Sequence, residues 1–326
     1  MNGENRKISD YLKMFESCRL CPRECGIDRT EKSKKSKSGF CRESNLLRVA
    51  HVGVHHGEEP PISGIKGSGT VFFTGCSLKC SYCQNYQISI QEMGNPMDIE
   101  ELFLKIEELI KVAQVHNINF VTPDHFFPFT FILVERLRKE GYHIPVLYNV
   151  SGYQSINLLK IAMEFADIYL PDYKYSDHSI AKELSRCEDY PEKALEAISE
   201  MVKQKGYLDT LNGRSTHARK GVLVRHLILP GMVENSMNAL TTLFLEFGSG
   251  LPISLMSQYF PATDNDNKDL NRTINQEEFD AVYNHAMELG FRHMFIQFPD
   301  KKACKTDRDS LPFLPDFSRK NVFSRR

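Results

Sequence analysis

The sequence predicts an α/β protein built as a partial (β/α)6-type TIM barrel, with a small cysteine-rich segment in front of it. Three observations carry this. From Gly69 onward short apolar runs alternate with helical stretches, the pattern of βα units and a parallel sheet. Six or more such repeats follow without a break, which favours a barrel or partial barrel over two unrelated domains, although an open doubly wound sheet shares the periodicity. Finally, 326 residues with 41% apolar side chains are enough to bury a full core.

Taken in order, the expected strands cover residues 70–74, 118–121, 145–149, 167–170, 221–229 and 253–258, with a seventh at 293–298. Each is short and rich in β-branched or aromatic residues. Helices are expected between them over 98–116, 128–139, 155–165, 192–205, 236–247 and 276–289, with Asp98 and Ser155 as N-caps. The chain thus divides into a cysteine-rich segment (1–65), the barrel (66–300) and a carboxyl tail (301–326) that reads as an ordered strap or a docking segment. The run Lys32-Ser33-Lys34-Lys35-Ser36-Lys37-Ser38-Gly39 reads as a solvated loop.

Composition narrows the function classes. With 41 basic against 42 acidic side chains, the formal charge of −1 gives no overall pull toward nucleic acid or an anionic membrane. No run reaches the roughly 18 apolar residues of a membrane span, and the polar start lacks a secretory signal's apolar core, so the expectation is a cytoplasmic protein with no membrane partner. Seven of the nine cysteines fall between Cys18 and Cys83, a clustering that favours metal over the disulfide framework of a small secreted domain. Cys187 and Cys304 stand alone and are assigned no role.

The first barrel strand runs through Gly75 into Cys76-Ser77-Leu78-Lys79-Cys80-Ser81-Tyr82-Cys83. Three thiolates on so compact a loop can ligate three irons of a cubane and leave the fourth open for reaction. A structural zinc site normally takes four ligands, and this loop offers three with uneven spacing. Upstream, Cys18-x2-Cys21-x3-Cys25 followed by Cys41 makes a second set of four, enough for a zinc ion or a closed iron–sulfur cluster. Such a clip would order a segment poor in apolar residues. Gly64, Gly67 and Gly69 precede a strand instead of linking a strand to a helix, so they read as a lead-in to the barrel and not as a dinucleotide loop. His51, His55 and His56 read as surface or supporting residues.

The three-cysteine string, continued by Gln84 and Asn85, resembles the radical S-adenosylmethionine (SAM) signature, and in particular that of pyruvate formate-lyase activating enzymes. Further strings extend the likeness to the PflX-type branch: Glu59-Pro60-Pro61-Ile62-Ser63-Gly64, Leu170-Pro171-Asp172-Tyr173-Lys174-Tyr175, Val224-Arg225-His226-Leu227-Ile228-Leu229-Pro230-Gly231 and Ser254-Leu255-Met256-Ser257-Gln258-Tyr259. The resemblance covers most of the chain from Cys18 to about Gln297, and the three-cysteine string is its specific part.

The resemblance implies a [4Fe-4S] cluster on Cys76, Cys80 and Cys83 whose open iron binds SAM, and reductive cleavage of SAM to a 5′-deoxyadenosyl radical that abstracts hydrogen. It implies an electron donor such as flavodoxin or ferredoxin, and a glycyl radical enzyme as protein substrate. By the same likeness Tyr82 lies against the adenine, Lys174 meets the SAM carboxylate with Asp172 ordering nearby groups, and Asn149, Ser151 and Gln258 line the cofactor. Plainer readings stand beside these: Tyr82 as a packing wedge, Asp172 and Lys174 as a surface ion pair, Asn149 and Ser151 as turn and cap residues. Asp172 and Lys174, two apart on an extended segment, point to the same side in either case.

One departure stands out. Relatives carry a Gly-Gly-Glu-Pro turn after the second strand to hold the SAM amino group, where this chain has Val121-Thr122-Pro123-Asp124-His125, leaving Thr122 or Asp124 to substitute. The functional expectation is therefore a glycyl-radical-activase-like oxidoreductase. The alternatives are radical SAM chemistry on another peptide, nucleic-acid or metabolite substrate, and a non-catalytic zinc-binding scaffold.

Overall fold

The computed structural model describes residues 3–30, 39–213, 215–299 and 314–323. The lysine-rich stretch 32–38, Cys304, and residues 301–313 and 324–326 of the tail lie outside the described residues.

Strands β1 (Arg48–His55), β2 (Ser68–Phe73), β3 (Asn95–Pro96), β4 (Ile118–Val121), β5 (Val146–Val150), β6 (Ile168–Pro171) and β7 (Gly221–Val222) form one sheet in the order β3-β1-β2-β4-β5-β6-β7. Strands β8 (Val224–Leu227), β9 (Ile253–Met256) and β10 (Met294–Ile296) form a second, ordered β10-β9-β8. Pairing is parallel from β2 to β7 and from β8 to β10. The sheets meet beside β6, where Tyr173 N–H donates to the Arg225 carbonyl at 2.8 Å and Asp172 bridges Arg225 in parallel. Among the described residues no pairing joins β10 to β2, so the barrel is partial, as the sequence predicts.

The strands of the barrel are short apolar runs because both faces are covered. Phe73, Phe120, Tyr148 and Tyr169, on four adjacent strands, make a ladder of rings with centroids 6.1, 5.7 and 6.3 Å apart. The helices that cover the sheets are α1 (Gly3–Lys13), α2 (Pro60–Ser63), α3 (Tyr86–Ser89), α4 (Ile99–Glu108), α5 (Phe127–Lys139), α6 (Ile156–Ala162), α7 (His178–Ser185), α8 (Tyr190–Lys205), α9 (Val233–Phe247) and α10 (Gln276–Leu289). Asp98 caps α4 as expected, its carboxylate accepting from Glu101 N–H at 2.7 Å. Ser155 occupies the N-cap of α6 but its hydroxyl makes no capping bond.

Three differences from the sequence expectation have physical reasons. The strand expected over 221–229 is split at Leu223, where the chain leaves β6 and takes β9 as its partner. β5 starts one residue late because Pro145 has no N–H to give, although its carbonyl accepts from Ile118 N–H at 2.9 Å. The helix expected over 98–116 ends in a π turn, Leu109–Ala113, closed by Gln114 at φ 55°. Elements α1, α2, α3, α7, β1 and β3 lie outside the expected set, and β1 matters most, for it runs antiparallel along β2 from Val49↔Phe73 to His55↔Ser68. Among the described residues no helix is long and apolar enough to cross a membrane.

Candidate active site

The site begins where β2 ends. Gly75 turns the chain at φ 84°, and a Cβ there would lie 2.6 Å from Glu43 Cγ, so the turn into the cysteine loop needs glycine. Within the loop Lys79 takes a left-handed conformation at φ 50°, and Cys83 N–H donates to the Cys80 carbonyl at 3.1 Å. These turns bring Cys76, Cys80 and Cys83 to the wall of one cavity of about 500 Å³. Each sulfur has a donor: Leu78 N–H for Cys76 at 3.3 Å, Ser185 Oγ for Cys80 at 3.0 Å and Ser89 Oγ for Cys83 at 3.2 Å.

Every other residue expected to line the cofactor faces the same cavity. Tyr82 comes from the loop itself, Thr122 from just past β4, Asn149 from β5 and Ser151 from just past it, Asp172 and Lys174 from the segment after β6 and Gln258 from that after β9. The carboxyl ends of the parallel strands therefore converge, as in open α/β sheets and barrels generally. Lys174 Nζ donates to Asp172 Oδ2 at 2.5 Å, and the Asp172 carboxylate together with the Tyr82 and Cys80 side chains raises the lysine well above its ordinary range against the cost of burial. The ion pair thus lines the cavity wall, with both side chains about one-fifth exposed. Tyr82 is buried edge-on between Tyr175 and Tyr259, with centroids 6.3 and 6.2 Å away.

The departure at 121–125 has a structural signature. Thr122 sits at φ 52°, a conformation that strains a β-branched residue, while its N–H donates to the Asn149 carbonyl at 2.9 Å. Asp124 does not line the cavity; it is buried against the amide of Gln154, and burial pushes its carboxyl up to about 6. Of the two candidates, Thr122 is the one that faces the cavity.

Sequence reasoning assigned no role to a buried charge cluster that lines the cavity beside Asp172. Arg225 Nε and Nη2 donate to Glu59 Oε1 and Oε2 at 2.9 and 2.6 Å, and Nη2 also reaches Glu58. Asn119 Nδ2 donates to Glu58 Oε1 at 2.8 Å. The signal was an arginine inside an apolar strand, a residue that stays buried only when paired. His55, read as a surface or supporting residue, also lines the cavity, with its ring 4.2 Å from that of Phe323.

The amino-terminal cysteines are arranged differently. Cys18 and Cys41 are buried, Cys21 is half-buried and Cys25 is exposed. Cys18 and Cys41 lie close enough to Cys21 to add to the rise that burial gives its thiol, but among the described residues no three His, Cys, Asp or Glu side chains are placed around a single metal ion, neither here nor in the loop of Cys76, Cys80 and Cys83. The hub of this segment is Arg29, 3% exposed, which donates to the carbonyls of Glu43 (3.0 Å), Ser44 (2.7 Å) and His125 (2.7 Å).

The cavity loop suits a cubane, which spreads its thiolates over three irons and does not gather them at one point. Burial and the neighbouring thiols push Cys76 up to about 12 and Cys83 to about 11. Thiols held so high ionise together only when a positive centre replaces their protons.

Residues 70–215 match the family model described as the Radical SAM superfamily. This stretch is a radical SAM domain. It spans the cysteine loop, Thr122, Asn149, Ser151, Asp172 and Lys174. The chain is also 24% identical over 298 residues to the uncharacterized protein MJ0674 of Methanocaldococcus jannaschii, covering 88% of this chain and 78% of that one. Similar solved structures include a radical SAM methyltransferase from Sphaerobacter thermophilus (TM-score 0.49, 15% identity, 70% of this chain and 65% of that one). SuiB of Streptococcus suis bound to SAM follows (TM-score 0.46, 12% identity, 68% of this chain and 48% of that one). A spore photoproduct lyase mutant has a TM-score of 0.46 at 12% identity, over 69% of this chain and 74% of that one. The chain spans less than two thirds of the methyltransferase and of SuiB, and likenesses at this level bear on neither substrate nor reaction.

Proposed function

We propose that this radical SAM domain cleaves SAM in the cavity and takes hydrogen from the α-carbon of a glycine in a loop of a partner protein. The carrying observation is that three thiols, two buried and one half-buried, and the Asp172–Lys174 pair share one cavity at the carboxyl ends of the strands. When bound, a reduced [4Fe-4S] cluster on Cys76, Cys80 and Cys83 supplies one electron to SAM, whose cleavage gives the hydrogen-abstracting 5′-deoxyadenosyl radical.

The chain's own residues do the rest. The Lys174 ammonium is the donor for the SAM carboxylate, with Asp172 fixing its position. Thr122 offers its hydroxyl and backbone carbonyl to the SAM amino group where relatives use an acidic turn. Tyr82 gives the adenine a ring to lie against, and Asn149, Ser151 and Gln258 complete the polar wall. The strand ends and the buried loop keep bulk water from a radical that would otherwise be quenched. A small electron-transfer protein, flavodoxin- or ferredoxin-like, is the expected reductant.

A second reading, hydrogen abstraction from a small molecule or short peptide, is favoured by one observation. Pro315 and Phe323, from the described part of the tail, line the same cavity and narrow it. Anaerobic protein reconstituted with iron and sulfide, reduced and given SAM, separates the readings when mixed with a glycyl radical enzyme. We expect 5′-deoxyadenosine together with the doublet spectrum of a glycyl radical. Formation of 5′-deoxyadenosine without that doublet would remove the activase reading and keep the radical SAM one.

A further inference from the structure

We propose that Ser185, at the carboxyl end of α7, is a positioning residue that sets the reduction potential of the cluster, and that Arg23 clamps it in place; this rests on the functional reading above. Ser185 is fully buried, and its hydroxyl lies 3.0 Å from Cys80 Sγ although 105 residues separate them. Its other neighbour is the Tyr175 hydroxyl at 2.7 Å, which is 2.9 Å from the Tyr82 hydroxyl. Three hydroxyls therefore stand in line between the aromatic wall of the cavity and the sulfur of Cys80.

Each hydroxyl carries one proton and rotates to suit its neighbours. Against a thiol the line can point either way. Against a thiolate all three O–H dipoles turn toward the sulfur, and in a buried site such a line is cooperative. Reduction adds negative charge to the cluster and its thiolates. A donor at the sulfur consequently stabilises the reduced state more than the oxidised one and raises the potential. The donors at Cys76 and Cys83 come from within or just beyond the cysteine loop, whereas the one at Cys80 is brought from a distant helix and backed by two further hydroxyls.

That helix end is fixed from the cysteine-rich segment. Arg23 Nη2 donates to the Ser185 carbonyl at 2.8 Å, Nη1 to the Arg186 carbonyl at 2.5 Å and Nε to the Ser77 carbonyl at 3.1 Å. One guanidinium thus ties the negative end of α7 to the cysteine loop. Ser81 N–H adds a second tie, donating to the Leu184 carbonyl at 2.8 Å. The segment that carries Cys18, Cys21 and Cys25 acquires a role in the active site through Arg23.

The test is a spectroscopic redox titration of the reconstituted full chain without substrate, preceded by iron and sulfide analysis. Ser185→Ala is expected to lower the equilibrium constant for reduction about tenfold, a shift of about 59 mV to more negative potential for a one-electron couple, at unchanged iron content. Ser185→Thr, which keeps the hydroxyl, is expected to retain the wild-type potential. Tyr175→Phe, which removes the middle hydroxyl, is expected to shift it part-way, and it carries the test if Ser185→Ala fails to assemble a cluster. Arg23→Met should shift it in the same direction. A wild-type potential in both Ser185→Ala and Tyr175→Phe at full iron content would overturn the proposal and leave the functional reading intact. A wild-type chain that takes up no cluster would overturn both.

Discussion

The two cysteine regions of this chain look alike in sequence and differ in what their sulfurs face. Cys76, Cys80 and Cys83 line a cavity, each with a hydrogen-bond donor at sulfur. Cys18, Cys21, Cys25 and Cys41 line none of it; two are buried, one is half-buried and one is exposed, and Cys18 accepts at 3.7 Å from Arg29, which also satisfies three backbone carbonyls. What distinguishes the barrel loop is its place at the end of β2, where converging strands leave room for a cofactor.

The largest effect that sharpens this contrast is on stability. Arg29→Met leaves the carbonyls of Glu43, Ser44 and His125 without their donor, and should cost about 3–5 kcal/mol in denaturant unfolding. A loss within experimental error would show that the segment is held by something other than Arg29.

His125 joins the two regions and makes their contact sensitive to pH. Its Nε2 lies 2.5 Å from the Thr74 carbonyl and therefore carries the proton, while its buried Nδ1 has no partner. Burial, reinforced by Arg29, holds this imidazole down to about 3 from an ordinary 6.5. The unfolded chain thus binds a proton below pH 6.5 that the folded chain refuses. Stability from this group is complete above pH 6.5 and falls as the pH drops toward 3, by about 3 kcal/mol at pH 4. Unfolding curves from pH 7 to 4 for the wild type and His125→Gln check this, and equal slopes would contradict it.

The smallest effect concerns the left-handed threonine. Thr122→Gly relieves a strained φ at some cost in unfolded-state entropy, for a net gain of about 1 kcal/mol. It should also weaken SAM binding, read by equilibrium dialysis. Lower stability with unchanged binding would show that Thr122 is packed and not poised.

Much of this was legible in the sequence, for physical reasons. Parallel strands covered on both faces are mainly apolar, so β2, β4, β5, β6, β8 and β9 stand out as short runs. Asp172 and Lys174 are two residues apart, and local geometry alone puts them on one side. β1 was missed because only Val49 along it is buried and the other side chains are half-exposed. The Glu58–Glu59–Arg225 cluster and the contact of Ser185 with Cys80 join residues more than 100 positions apart, and no local pattern announces such pairs. At Thr122 the sequence showed a departure from the related turn, and the structure shows that the backbone keeps a conformation suited to glycine.

The most direct test compares the two regions in one experiment: iron, acid-labile sulfide and 5′-deoxyadenosine formation in Cys76→Ala, Cys80→Ala and Cys83→Ala set against Cys18→Ala, Cys21→Ala and Cys41→Ala. The account predicts that the first three lose the cluster and all SAM cleavage, while the second three keep both in the folded protein. Retention of iron and SAM cleavage in the first set, with loss in the second, would contradict it.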